Sequence, residues 1–221
     1  MTSPVINNSR ARYLRRSGLA TRFQGKFLAD LTCSASVLTE CDGLVDRMIR
    51  SEPPYGVGMI LWGSPGRGKT TIAAAALSEA LLRIPRETLG RCFDSDAKRP
   101  GFYITYAEFI QTYQSSWDTS NPSQAEDASL IQDLFYRNRS DDHWNTRLLV
   151  LDDVGKEHKG KTGFNVSTLH DLLRSRYDKS APTIITTNLA PSDWEASYGD
   201  AMASFIREAF RMVNVSGKDQ R

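Results

Sequence analysis

A pattern of three glycines followed by lysine and threonine lies between an apolar run and a helix-forming segment. The pattern G-x-x-x-x-G-K-[ST] is met by Gly63, Ser64, Pro65, Gly66, Arg67, Gly68, Lys69 and Thr70. Glycine adopts backbone angles that are closed to other residues, so successive N–H groups of such a loop can turn inward around a phosphate. A helix that follows the loop aims its positive end at the same point. The residues therefore indicate binding of a phosphorylated ligand.

The segments on either side of this loop support a nucleoside triphosphate as that ligand. Residues 57–62 are an apolar run typical of a strand, and residues 71–77 favour a helix, which is the context that the pattern requires. Lys69 would reach the β- and γ-phosphates, and the Thr70 hydroxyl would bind Mg²⁺. The alternative is a glycine-rich surface turn, which would need neither the strand nor the helix. We assign residues 63–70 and Thr71 to the binding of a nucleoside triphosphate with Mg²⁺.

Two adjacent carboxylates follow the apolar run 148–151, which is typical of a buried parallel strand. Such a strand would bring Asp152 to the carboxyl edge of the sheet, where ligands bind in open α/β folds. Asp152 could hold Mg²⁺ through water, and Asp153 could orient or deprotonate an attacking water. The alternative is a strand that ends in a polar turn, since Asp is common there. The glycine loop upstream favours the catalytic interpretation.

Asn188 closes a further β-suited run, residues 183–187. If this strand lies between the strand before the glycine loop and the strand before Asp152, Asn188 would point at the γ-phosphate and at the attacking water. The alternative is a simple polar cap of the strand. The position of Asn188 after both other motifs favours a role in catalysis.

Strands alternate with helices along the chain. A further strand is predicted for residues 102–106, and helices are predicted for residues 37–49, 107–117, 128–137, 165–177 and 201–212. The alternation predicts an α/β fold of the P-loop NTPase type, with a parallel sheet flanked by helices on both faces. We divide the chain into a basic N-terminal arm with a leading helix, residues 1–50, and a nucleotide-binding core, residues 51–221.

The composition is that of an ordinary globular protein. Of 221 residues, 40% are hydrophobic and 24% are charged, and the formal net charge is +2, so any nucleic-acid contact must come from local patches. Cys33, Cys41 and Cys92 form no C-x-x-C pair, which favours incidental thiols in a reducing compartment. No apolar run is long enough to span a bilayer, and residues 1–9 lack the apolar core of a signal peptide. We expect a cytoplasmic protein without membrane contact.

The three motifs together, residues 63–70, 148–153 and 183–188, resemble an AAA+ ATPase. More narrowly, the chain is similar to the DnaC/DnaI helicase loaders and to the IstB-type transposition ATPases. The similarity extends over nearly the whole chain and includes SGLATRF at residues 17–23, DDVGKE at 152–157, PTIITTNL at 182–189 and VSGKDQR at 215–221.

This resemblance implies a role for each motif residue. Lys69 takes the phosphate role, Thr70 and Asp152 the magnesium role, Asp153 the position of the catalytic acid and Asn188 that of the sensor.

Two features depart from the family. Its members usually carry Arg after a Ser near the last helix, where it acts on the γ-phosphate held by a neighbouring subunit, whereas this chain has Phe205. Arg207 and Arg211 are nearby, so we expect either that one of them substitutes or that hydrolysis between subunits is weak. In addition, only a short segment precedes Leu19, where bacterial loaders carry a sizeable helicase-binding domain.

Aromatic residues are the first candidates for DNA contact, because aromatic rings stack on single-stranded bases. Tyr106, Phe109 and Tyr113 recur at helical spacing, and we expect them to face the core. Trp117 ends the same predicted helix beside a polar loop. By resemblance, Trp117 falls where the loaders carry an insertion that faces the pore of their ring.

Basic residues are the second candidates. Lys156, Lys159 and Lys161 form a loop after Asp153, which could follow a DNA backbone or could be a mobile solvated loop. Residues 9–26 are basic and contain no acidic residue. This arm could contact DNA phosphates or an acidic partner, or it could be a solvated and partly disordered terminus.

These features predict a protein that binds and hydrolyses ATP with Mg²⁺, self-associates through its nucleotide site and binds single-stranded DNA. The expected role is the loading of a DnaB-type helicase in DNA replication. The first alternative is an IstB-like transposition helper that binds duplex DNA and a transposase. A P-loop kinase for a small metabolite is a second alternative, against which the sensor position of Asn188 argues. A third is a nucleotide switch without hydrolysis, which is suggested by Phe205.

Overall fold

Five parallel strands form a single sheet at the centre of the molecule. The structure is a computed structural model, and it describes residues 8–50, 56–83, 99–118, 120–135, 146–156 and 163–217, with side chains from residue 11 onward. The strands are β1 (Gly58–Trp62), β2 (Gly101–Thr105), β3 (Leu148–Val154), β4 (Thr183–Thr187) and β5 (Phe210–Asn214). Their order in the sheet is β2-β3-β4-β1-β5, and every neighbouring pair is parallel. The predicted α/β class is confirmed.

Helices connect these strands and precede them. In the described ranges they are α1 (Asn8–Arg16), α2 (Ala35–Arg50), α3 (Lys69–Arg83), α4 (Tyr106–Ser115), α5 (Pro122–Leu134), α6 (Gly163–Asp178), α7 (Asp193–Tyr198) and α8 (Asp200–Ala209), with 3₁₀ turns at Thr21–Phe23 and Leu28–Asp30. A capping box between Thr105 and Glu108 begins α4. The side chain of Asn121 caps the start of α5, and Pro122 occupies the first helical position. None of these helices has both the length and the apolar character needed to cross a bilayer.

The helices cover both faces of the sheet, as the alternation along the chain predicts. Successive residues of a strand point to opposite faces. In β1, Met59 and Leu61 enter a core cluster with α1, α2 and α3. Ile60 enters a second cluster with residues of α4 to α8. The sheet is therefore buried on both sides, which explains why the sequences of its strands are continuous apolar runs.

The basic N-terminal segment packs against the first of these clusters. Its buried apolar residues are Tyr13, Leu14, Leu19, Phe23, Phe27 and Leu28. The backbone N–H of Tyr103 in the edge strand β2 donates a 2.6 Å hydrogen bond to the Ser17 carbonyl. The interpretation of residues 9–26 as a solvated, partly disordered terminus is therefore wrong for residues 11–26. Arg15, Arg16, Arg22 and Lys26 of this segment are exposed.

One predicted helix is shorter than expected, and a strand follows it. The helix predicted for residues 201–212 ends at Ala209, and Phe210–Asn214 forms β5 beside β1. The local sequence of residues 210–214 suits either a helix or a strand. Pairing with β1 decides for the strand, because it supplies hydrogen bonds to the backbone of this segment. The short helices α1 and α7 were also not predicted, and α5 begins at Pro122, six residues before the start of the helix predicted for residues 128–137. Arg211 therefore lies on an edge strand and not on a helix.

Candidate nucleotide-binding site

The strand order brings the three sequence motifs to one edge of the sheet. Strand β4 lies between β1 and β3, as the interpretation of Asn188 requires. The Lys69 ammonium donates a 2.8 Å hydrogen bond to Oδ1 of Asn188, 119 positions away. The Thr70 hydroxyl donates to Oδ1 of Asp152 at 3.0 Å, across 82 positions. Four of the predicted site residues therefore meet at the carboxyl ends of adjacent parallel strands, where open α/β sheets bind ligands.

The glycine loop has the conformation that its glycines were expected to allow. Gly66 and Gly68 have φ values of +80° and +84°, which residues with a Cβ rarely adopt. The loop curls around its own lysine, whose ammonium also donates to the carbonyls of Gly63 and Ser64 at 2.8 and 2.9 Å. Helix α3 starts at Lys69, so its first N–H groups point toward the open side of the loop. These groups and the ammonium can bind a chain of phosphates.

Asp152 is nearly completely buried, at 3% exposure, and hydroxyl groups of the described residues donate to both oxygens of its carboxylate. Thr70 and Thr186 donate to Oδ1, and Tyr103 donates to Oδ2 at 2.6 Å. Burial raises the pKa of the Tyr103 phenol and the neighbouring carboxylate raises it further, so this phenol stays protonated and remains a donor. A buried carboxylate that faces neutral donors is suited to a cation.

The residues present fit Mg²⁺. This ion is usually held by one or two carboxylates together with waters and phosphate oxygens of the substrate, and Thr70 with Asp152 can supply the protein part of such a shell. In the described ranges, no three or more His, Cys, Asp or Glu side chains form a group that could bind a metal.

A bulge in β3 brings the second carboxylate to the same cleft. The pairing of β3 with β4 shifts register between Leu151 and Val154, and Asp153 has a φ of +62°. In a regular strand, adjacent side chains would face opposite sides. Here both Asp152 and Asp153 line the cleft, which is a common use of bulges near active sites. The Lys156 ammonium lies 2.7 Å from Oδ1 of Asp153.

The cleft has a second wall that the motifs did not predict. It encloses about 1160 Å³, and pockets of about 300–1000 Å³ already hold drug-sized ligands. One wall is the glycine loop with Asp152, Asp153 and Asn188, and the other is formed by residues 22–34, including Phe23 and Cys33. The family-like segment 17–23 reaches this wall with Arg22 and Phe23, but no sequence pattern assigned it a place in the cleft, because it arrives there only through the packing of the N-terminal segment.

The two arginines predicted to act on a neighbouring subunit lie outside this cleft. Phe205, at the position where the family carries arginine, is 2% exposed and packs edge-on against His170 and Tyr177. Arg207 is exposed on α8. Arg211 forms an ion pair with Glu40 of α2 at 2.7 Å. Neither arginine contacts the predicted nucleotide residues of its own chain in the described structure.

The candidate DNA contacts divide between the aromatic residues within 106–117 and the predicted basic loop, whose Lys156 lines the cleft. Tyr106 and Phe109 are buried, as their assignment to the core predicts, and Tyr113 is half-buried. Trp117 is 66% exposed and stands edge-on to Phe164 at a ring distance of 5.4 Å. Of the predicted basic loop, Lys156 is exposed, whereas Lys159 and Lys161 lie outside the described residues.

Several solved structures share this fold. A DnaC helicase loader superposes with a TM-score of 0.61 at 22% identity, covering 89% of this chain and 100% of that one. A DnaI structure gives 0.62 at 16% identity, covering 95% and 100%. The replication initiator DnaA bound to AMPPCP and single-stranded DNA gives 0.58 at 15% identity, covering 90% and 51%. At these identities the likeness concerns the fold.

Comparison with family models and curated proteins gives the family. No curated protein matches this chain significantly. The model of the ATPase family associated with various cellular activities (AAA) matches residues 59–208, which is more than half of the chain and includes Lys69, Asp152 and Asn188. The resemblance found in the sequence is thereby confirmed, and the chain belongs to the AAA family of ATPases.

Proposed function

We propose that this protein binds ATP with Mg²⁺ in the cleft and hydrolyses it. The observation that carries the proposal is the convergence of Lys69 with Asn188 and of Thr70 with Asp152 at one edge of the sheet. Lys69 and the loop amides would hold the phosphates, and Thr70 with Asp152 would hold the metal. When bound, Mg²⁺ would neutralise charge on the phosphates. Asp153 would orient the attacking water, and Asn188 would contact the γ-phosphate.

Calorimetry with ATP and Mg²⁺, together with an assay of phosphate release, tests this proposal. The wild-type protein should bind ATP, and Lys69→Ala should weaken binding by about tenfold or more, because a buried charge partner of the phosphates is removed. Lys179→Ala is the matched control, since Lys179 is exposed beyond the end of α6. Absence of any heat of ATP binding in the wild type would refute the proposal.

We further propose that the protein acts in DNA replication, as a loader of a DnaB-type helicase, and binds single-stranded DNA. Three observations support this role: the shared fold with a DnaC helicase loader and with DnaI, the fold of a DnaA structure that contains single-stranded DNA, and the exposed ring of Trp117. Stacking of a base on such a ring is worth about 1–3 kcal/mol, and exposed basic residues such as Lys156 would contact the phosphates.

Fluorescence anisotropy with labelled DNA tests the DNA part of this proposal. Single-stranded DNA should bind more tightly in the presence of ATP than of ADP, and Trp117→Ala should weaken binding by about tenfold while ATP binding is unchanged. A preference for duplex DNA would support the transposition helper instead. Capture of either the helicase or the transposase of the same genome by the purified protein would then decide the partner. No DNA binding in either nucleotide state would refute the DNA role.

We also propose that subunits associate through the nucleotide site, and that Arg207 or Arg211 acts on the nucleotide of the neighbour. Arg207 is the stronger candidate, because Arg211 is engaged by Glu40. A mixing experiment tests this: Lys69→Ala subunits and Arg207→Ala subunits should each be inactive alone, and their mixture should recover hydrolysis. Lack of recovery for both Arg207→Ala and Arg211→Ala would refute a trans-acting arginine at these positions. In this proposal residues 51–221 are the ATPase core, and residues 1–50 form the segment that leads into it.

A further inference from the structure

We infer that Tyr103 is a positioning residue for the metal-binding carboxylate of Asp152, and that it connects the N-terminal segment to the metal site. This inference rests on the proposed function, because it assigns Asp152 to Mg²⁺. Tyr103 belongs to none of the sequence motifs. It lies on the edge strand β2, one strand away from Asp152.

The carboxylate of Asp152 is anchored from both neighbouring strands. Strand β3 lies between β2 and β4. Tyr103 of β2 donates a 2.6 Å hydrogen bond to Oδ2, and Thr186 of β4 donates to Oδ1. One hydroxyl therefore reaches each oxygen from an opposite side. Thr70, the other predicted ligand, contacts Oδ1 at 3.0 Å and Oδ2 at 3.2 Å. This arrangement determines the direction in which the carboxylate presents its remaining lone pairs.

Groups that hold a metal ligand in place contribute to metal affinity without touching the metal. Loss of such a partner typically lowers affinity by about 10–100-fold. The Tyr103 hydroxyl is suited to this role because its residue is only 8% exposed, so water cannot easily replace the lost donor. The 2.6 Å contact is also short, as hydrogen bonds to a carboxylate are.

Tyr103 is itself held by the N-terminal segment. Its backbone N–H donates to the carbonyl of Ser17 at 2.6 Å. Its ring lies 6.5 Å from the ring of Phe23, at an interplanar angle of 45°, and Phe23 lines the nucleotide cleft. The same segment therefore forms one wall of the cleft and supports the residue that orients Asp152. A partner that displaces residues 17–23 would release both contacts together.

The variant Tyr103→Phe tests this inference, because it removes only the hydroxyl. The binding of a fluorescent ATP analogue is measured as Mg²⁺ is added to protein kept initially in EDTA. We expect the Mg²⁺ concentration that gives half of the maximal increase in analogue binding to rise about tenfold. The dissociation constant of the analogue in EDTA should change by less than about twofold. The Mg²⁺-dependent rise in the midpoint of thermal unfolding with ATP is a second readout, which remains usable if the variant is less stable.

Tyr106→Phe is the matched control. Tyr106 is 1% exposed, and its hydroxyl donates at 2.7 Å to the carbonyl of Asn165, away from Asp152. Its Mg²⁺ titration should equal that of the wild type. An unchanged titration for Tyr103→Phe, or an equal loss of binding with and without Mg²⁺, would overturn the inference. If the wild type binds no nucleotide under any condition, the proposed function fails, and this inference fails with it.

Discussion

The ammonium of Lys69 and the side-chain oxygen of Asn188 share a 2.8 Å hydrogen bond. Lys69 keeps two further partners, the carbonyls of Gly63 and Ser64, so its position does not depend on Asn188 alone. In the proposed function, the amide of Asn188 would instead contact the γ-phosphate of a nucleotide that Lys69 holds. The two residues should therefore contribute differently: Lys69 to binding, and Asn188 to the chemical step.

Substitution of Asn188 should separate binding from hydrolysis. We expect Asn188→Ala to lower the rate of ATP hydrolysis by about 100-fold, the size found when one donor to a developing charge is removed. The dissociation constant for ATP should change by less than about threefold, because the contacts of Lys69 with the loop remain. Phosphate release under saturating ATP and calorimetry measure the two effects.

The variant Asn188→Asp is the comparison for this prediction. It places a carboxylate beside the terminal phosphate, and like charges repel. ATP should therefore bind about tenfold more weakly than in the wild type, whereas ADP binding should change little. Equal weakening of ATP and ADP binding would show that Asn188 does not face the γ-phosphate.

Cys33 offers a chemical probe of the cleft. It is half-buried and lines the cleft wall opposite the glycine loop. Burial raises its pKa above the ordinary 9.0, so little thiolate is present at neutral pH and alkylation should accelerate as the pH rises. At pH 8.5, bound ATP with Mg²⁺ should slow the alkylation of Cys33 several-fold by covering it.

Peptide-resolved mass spectrometry measures this reaction residue by residue. Cys41 is the internal control, because it is fully buried and burial raises its pKa to about 12. It should stay unmodified with or without nucleotide. Equal rates for Cys33 with and without ATP, under conditions where ATP binds, would place the nucleotide away from this wall.

Gly18 should be intolerant of a side chain. Its φ is +73°, and a Cβ there would lie 2.2 Å from the carbonyl oxygen of Tyr103, a backbone atom that cannot turn away. Gly25 has nearly the same φ, +76°, but a Cβ there would meet no atom within 4 Å. Gly25→Ala should therefore cost only the backbone strain, about 1 kcal/mol.

Urea unfolding of both variants measures this difference. Gly18→Ala should lower the free energy of unfolding by about 2–4 kcal/mol, since steric overlap of about 1–3 kcal/mol adds to the strain. It should also weaken the Mg²⁺ dependence of ATP binding, because the overlap moves the segment that supports Tyr103. Equal destabilisation by both substitutions would contradict the close packing of residue 18 on β2.

Arg176 should be a major contributor to stability, although it lies far from the cleft. It is completely buried at 0% exposure. Its guanidinium donates to the carbonyls of Leu134, Thr146, Arg147 and Pro182 and to the hydroxyl of Thr183. These bonds join the end of α5 and the segment before β3 to the start of β4. Arg176→Met would leave several buried carbonyls without these donors, at about 1–3 kcal/mol each.

We therefore expect Arg176→Met to lower the free energy of unfolding by about 3–5 kcal/mol, as measured by urea unfolding. Arg174→Met is the matched control on the same helix. Arg174 is exposed, and its guanidinium stands 4.8 Å from the ring centroid of Phe205, a contact worth at most about 1 kcal/mol at the surface. Similar losses for the two variants would contradict the role assigned to Arg176.

The parallel α/β class and the residues proposed to bind ATP could be predicted from the sequence alone. The reason is that each rests on a local pattern. The glycine loop needs glycines at fixed spacing, and a doubly covered parallel strand needs a continuous apolar run such as residues 148–151. Because parallel strands present their carboxyl ends at one edge, polar residues that follow such runs are expected at that edge. The direct contact of Lys69 with Asn188 also requires that β4 lies beside β1.

Only the tertiary structure decided which other groups complete the site. Tyr103 reaches Asp152 because β2 is the neighbour of β3, and residues 22–34 form a cleft wall because the N-terminal segment packs against the sheet. The conformation of residues 210–214 was likewise decided by pairing with β1. Such contacts depend on strand order and on packing between distant segments. Local propensity does not encode them, because the same short segments suit more than one partner.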